Sequence, residues 1–156
     1  MSDEVLAVVR ASATRRWLGV GMLGLLGLIL AYTALFKPPA APGWQVFLVV
    51  LAILSIWGAE RMRQATALAV ELTREGLRSS DGEVIAPLER IASVDRGVFA
   101  FKPSNGFIVR LKSPAPGRWL PGLWWRLGAR VGIGGVTPGA QSKAMADILA
   151  ALLTER

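Results

Sequence analysis

The sequence predicts an α+β protein in which an N-terminal transmembrane helical hairpin is followed by a small antiparallel β domain capped by a C-terminal α-helix. Three observations carry this reading. Two apolar runs, Trp17 to Phe36 and Trp44 to Ala59, follow one another closely. From Ala65 onward apolar residues alternate with polar or smaller ones, and turn signals recur at short intervals. Near the end, Met145, Ile148, Leu149, Leu152 and Leu153 repeat at helical spacing.

The first run holds 20 residues without a charge, enough to cross ~30 Å of hydrocarbon at ~1.5 Å per residue. Signal-peptide cores reach only about 7–15 residues, so this helix is expected to be retained. Lys37-Pro38-Pro39-Ala40-Ala41-Pro42-Gly43 then stops the helix and turns the chain. The second run has 16 residues, or ~24 Å of helix, short of a full span. Either the helix continues through Glu60, Arg61 and Arg63, whose long side chains reach the headgroups, or the bilayer thins locally, with a re-entrant or buried soluble helix as the alternative. Trp17, Trp44 and Trp57 sit near the ends of the runs, as an aromatic belt requires.

The predicted organisation is an N-terminal cytoplasmic segment at 1–16, a hairpin at 17–63 with spans at 17–36 and about 44–61, and a cytoplasmic domain at 64–156. Arg10, Arg15, Arg16, Arg61 and Arg63 flank the hairpin on one side, and only Lys37 lies in the connector. The positive-inside bias therefore puts both termini in the cytoplasm. Gly24, Gly27, Ala31 and Ala34 line one face of the first helix. Such a small-residue face either packs on the second helix or docks another copy or another membrane protein.

Within the domain, Thr66, Leu68, Val70 and Leu72 suggest a half-buried strand. Thr73-Arg74-Glu75-Gly76 is a turn, Leu77 to Ser80 a short strand, and Asp81-Gly82 a type I′ hairpin signal before the returning strand Glu83 to Ala86. Pro87-Leu88-Glu89-Arg90 is expected as one helical turn ahead of a strand from Ile91 to Ala100. Asn105-Gly106 is a second type I′ candidate, followed by a strand with Phe107, Val109 and Leu111 on one face. Ser113 to Gly122, with three prolines and two glycines, reads as a loop, and Arg130 to Val136 as the last strand. Thr137 is placed to cap the final helix and Pro138 to begin it.

The stretch Leu72-Thr73, Gly76-Leu77, Asp81-Gly82, Ile85-Ala86-Pro87 and Ile91-Ala92-Ser93-Val94 resembles the opening of bacterial pleckstrin-homology-like (PH-like) domains. The resemblance covers roughly residues 65–155. It implies an antiparallel β-barrel or sandwich closed by a C-terminal helix, in a small bacterial inner-membrane protein that carries its domain behind a transmembrane pair. Phosphoinositide-binding members use a basic loop between their first two strands. The matching loop, Thr73 to Gly76, offers one Arg and one Glu, so no lipid-site residues are carried over.

Composition narrows the function. The chain is 53% hydrophobic and 19% charged, in keeping with part of its mass lying in lipid. It has no Cys and no His, which removes the common zinc and haem ligands, thiol nucleophiles and the usual neutral-pH base. Gly132-Ile133-Gly134-Gly135 lacks the Gly-Lys-Ser/Thr ending of a phosphate loop and is read as tight backbone packing or a bulge beside the final helix. Asp81, Glu83, Glu89 and Asp95 are scattered, and no Ser-x-x-Lys occurs. No catalytic residue, metal site or cofactor is expected.

The net charge of +7 is unevenly spread. From Arg96 to Lys143 there are eight basic residues and no acid, namely Arg96, Lys102, Arg110, Lys112, Arg118, Arg126, Arg130 and Lys143. Trp119, Trp124 and Trp125 lie among them. Basic residues interleaved with indole suit anionic headgroups, so Arg118, Trp119, Trp124, Trp125, Arg126 and Arg130 are candidate membrane-surface residues. The competing reading is a solvated basic surface over tryptophans that belong to the core. No nucleic-acid recognition element appears. The expected function is a non-enzymatic interaction or scaffold module at the bilayer, with an accessory subunit of a larger membrane complex as the alternative.

Overall fold

The fold is that of a computed structural model describing residues 4–96 and 105–155. Two long apolar helices, α1 (Ala13–Phe36) and α2 (Pro42–Ala65), each have 24 residues, or ~36 Å. They run antiparallel. Gln45 Nε2 donates to Ala34 O at 3.0 Å, Gly27 faces Ala52 and Ile56, and Gly19 faces Met62. The second helix therefore has full length, because it continues through Glu60, Arg61 and Arg63. Pro42 occupies its first turn, where a missing N–H costs nothing.

The hairpin does not precede the β domain but interrupts it. Val5–Arg10 forms a strand, β1, and pairs antiparallel with β2 (Ala69–Thr73), with Arg10 opposite Ala69 and Val5 opposite Thr73. The expected division into a 1–16 tail and a 64–156 domain is corrected accordingly. The domain takes its first strand from the far side of the hairpin, and Val9 is fully buried in its core. Only Ala11 and Ser12 separate β1 from α1, and only Thr66 to Leu68 separate α2 from β2. The strand expected from Thr66 starts three residues later because α2 runs to Ala65.

Beyond β2 the sheet continues through β3 (Gly76–Ser79) and β4 (Val84–Pro87), in the order β1-β2-β3-β4. A 3-10 turn at Leu88–Arg90, as expected from the sequence, leads into a second sheet. That sheet contains β5 (Ile91–Asp95), β6 (Phe107–Leu120) and β7 (Trp124–Ile133), in the order β5-β6-β7. Both sheets are antiparallel, and among the described residues they do not join into a closed barrel. The final helix, α3 (Gly139–Thr154), packs on β1, β5 and β6. One core unites Val9, Leu72 and Ile85 of the first sheet, Phe107, Trp124 and Ile133 of the second, and Met145 and Leu149 of α3.

Four local expectations are corrected. The stretch from Ser113 is strand up to Leu120, because the β6–β7 register shifts on both sides of Ala115 and Pro114 and Pro116 fall at these irregularities. The last strand correspondingly begins at Trp124 and ends at Ile133. Neither hairpin signal makes a type I′ turn. Gly82 (φ +96°) alone has positive φ in the first, closed by Gly82 N–H to Ser79 O at 3.0 Å, and Asn105 (φ +54°) alone in the second. Thr137 does not cap α3. Pro138 is the N-cap residue, and the Thr137 hydroxyl is instead 3.4 Å from both Asn105 O and Ser142 Oγ. The strand expected to reach Ala100 is described to Asp95, and 97–100 lie outside the described residues.

Candidate membrane interface

The feet of the two helices rest on the β6–β7 turn. Ser12 N–H donates to Val136 O at 2.8 Å, and Val136 N–H to Gly122 O at 3.1 Å. A Cβ on Gly122 would meet Thr66, Val136 and Met62, and one on Gly135 would overlap the Gly122 backbone. The 132–135 glycine run is thus a close backbone crossing, as read from the sequence. Hydrogen bonds from the helix feet complete the seam. Arg15 Nη1 donates to Thr137 O at 2.9 Å, Arg16 Nε to Thr66 Oγ1 at 2.9 Å, and Arg61 Nη2 to Trp119 O at 3.2 Å.

Indole rings flank this seam. Trp119, half exposed at the end of β6, has its ring centroid 6.4 Å from that of Trp57 on α2. The Arg61 guanidinium lies 6.0 Å from the Trp57 centroid, and that of Arg16 lies 4.7 Å from Trp17. The acceptors of Arg15, Arg16 and Arg61 are all neutral oxygens. Their three charges are therefore uncompensated by any acid among the described residues. Arg63, by contrast, is held by Glu60 at 2.6 and 2.8 Å.

The basic stretch does not assemble into one patch. Arg118 pairs with Glu83 at 3.1 and 3.2 Å, Arg110 with Asp95 at 3.3 Å, and Arg96 with Asp147. These acids come from outside the stretch, so a count of charges along it overstates the free positive charge. Arg126 donates to Pro116 O at 2.7 Å, Ile85 O at 2.8 Å and Val84 O at 3.2 Å, tying β4 to β7 where no ladder joins the sheets. Its role is to hold the two sheets together. Lys112, Arg130 and Lys143 are exposed and without an acidic partner among the described residues, and Lys102 lies outside them.

The tryptophans divide as sharply. Trp124 is fully buried, as the competing core reading has it and not as a membrane-surface residue, because it faces inward opposite Leu120 and beneath Arg126. Trp125 is half-buried and covers Gly132, where a Cβ would overlap the indole. Trp119 alone of the three is exposed. Of the small-residue line, Gly27 and Ala34 are buried against α2 and Ala31 is half-buried, whereas a Cβ on Gly24 would meet nothing within 4 Å. Gly24 therefore takes no part in the close approach of the two helices.

The collar of Arg15, Arg16 and Arg61 is a site that sequence reasoning misses. Its signal, basic residues flanking both apolar runs, is legible but speaks first to orientation. The Thr73–Gly76 turn joins β2 to β3, since β1 lies upstream, and so does not correspond to a loop between first and second strands. Comparison with protein-family models, with curated proteins and with solved structures gives no match.

Proposed function

We propose that this chain is a non-enzymatic integral membrane protein of the bacterial cytoplasmic membrane. In this reading its hairpin spans the bilayer and holds a PH-like interaction or scaffold domain against the cytoplasmic leaflet. The observation that carries it is the pairing of β1 with β2 across the hairpin, which obliges both helix feet to lie on one side. The helices have the length and composition to cross a membrane. Their outer faces leave Leu18, Met22, Leu28, Phe36, Val46 and Ile53 largely exposed, far more apolar surface than a soluble monomer leaves in water. Five arginines at the feet against one lysine in the connector favour the cytoplasm for the domain. Sheets of four and three strands closed by one helix support the PH-like reading.

An accessory subunit of a larger complex is the second reading. Gly21 and Gly24 on α1 and Gly58 on α2 have open space where a Cβ would stand, so another helix can approach there. Purification of the full chain in mild detergent separates the two. The autonomous module comes through as this chain alone or with copies of itself, and a stoichiometric second membrane protein establishes the accessory reading. Release of the chain from membranes by alkaline carbonate would contradict both.

A further inference from the structure

We propose that the cleft between the end of α2 and β6 holds the phosphate of one anionic phospholipid whose headgroup is otherwise uncharged. This rests on the membrane reading above. The cleft is lined by Arg61, Gln64, Ala65, Leu68, Arg118 and Leu120 and has a volume of about 150 Å³. Pockets that enclose a drug-sized molecule measure about 300–1,000 Å³, so this one suits a single small group. Arg61 of α2 and Arg118 of β6 both line it, and a guanidinium fork matches phosphate oxygens.

A further observation points to a ligand. The charges leave a remainder. Of the two arginines that line the cleft, Arg118 is neutralised by Glu83, while Arg61 bonds a backbone carbonyl and no acid among the described residues. Within the cleft lining one positive charge is therefore left, the complement of one phosphodiester. Depth agrees, since Arg61 lies one helical turn (~6 Å) from Trp57 towards the domain, at the level where indoles mark the headgroup region.

The test is lipid retention by the full chain in mild detergent, read by native mass spectrometry. Phosphatidylglycerol, phosphatidylcholine and inorganic phosphate are added separately and in competition. One phosphatidylglycerol is expected to stay bound in preference to phosphatidylcholine, and inorganic phosphate is expected not to displace it. Arg61→Gln should lower retention about fivefold or more, and Lys143→Gln, an exposed cation on α3, should leave it unchanged. Glu83→Gln, which frees Arg118 while leaving the cleft intact, should raise retention, an outcome that misfolding cannot mimic. Unchanged retention in both Arg61→Gln and Glu83→Gln overturns the proposal, as does an equal loss with Lys143→Gln or displacement by inorganic phosphate. If Arg61→Gln fails to fold, Glu83→Gln alone decides. Carbonate extraction of the wild-type chain separates failure of the site from failure of the membrane reading, because only the latter releases the protein.

Discussion

Trp119 and Trp124 stand five positions apart in one basic stretch, yet the first is half exposed and the second fully enclosed. The difference lies in the turn between them, which sends Trp124 back along β7 facing the core. Trp124→Ala should therefore destabilise the protein by roughly 3–5 kcal/mol, read by thermal unfolding in detergent. Trp124→Phe should cost clearly less, because the indole Nε1 has no hydrogen-bond partner to lose. Equal losses for the two would contradict this account of the ring. The glycines of α1 offer a second contrast. Gly27→Leu drives a side chain into Ile56 and the Ala52 carbonyl, whereas Gly24→Leu meets open space. The first should lower the melting temperature in detergent and the second leave it unchanged, and neither should impair insertion, since leucine is well accommodated in lipid.

At the scale of elements, whatever carries its own local period is legible in the amino-acid sequence. The span of α1, the Pro-rich connector, the single turn after Pro87 and the stripe of α3 are all of this kind. The elements that escape a sequence reading depend on partners distant in the chain. Strand β1 is only six residues, and the pairing that makes it a strand lies some sixty positions away, across the hairpin. The prolines of β6 argue locally for a loop, and only the bulged pairing with β7 makes room for them. Dissection of the domain must respect that distant pairing. Residues 66–155 alone lack β1 and lose Val9 from the core and the Arg10 N–H bond to Gln141. Joining 4–11 directly to 66–155 should restore the fold, because Arg10 and Ala69 lie opposite one another and a short turn can connect them. Far-UV circular dichroism should give cooperative unfolding for the joined chain and not for the bare fragment, and the reverse result would remove β1 from the domain.

At the scale of the whole molecule, the two connections at the hairpin's feet, of two and three residues, leave the domain little freedom to swing. The domain is then a fixed extension of the helices, and in the proposed reading this geometry sets it against the headgroups, where Arg15, Arg16 and Arg61 would hold it. Surface charge elsewhere has less to do with that placement, because Arg96, Arg110 and Arg118 are already paired with acids. The central claim is that the hairpin crosses the membrane once in each direction and returns the chain to the side of β1. The chain has no cysteine, so single replacements can be labelled without background. In intact bacterial spheroplasts a membrane-impermeant maleimide is expected to label Ala40→Cys in the connector and to leave Glu155→Cys unlabelled until the membrane is lysed. Labelling of Glu155→Cys in intact spheroplasts, or protection of Ala40→Cys there, would contradict the account.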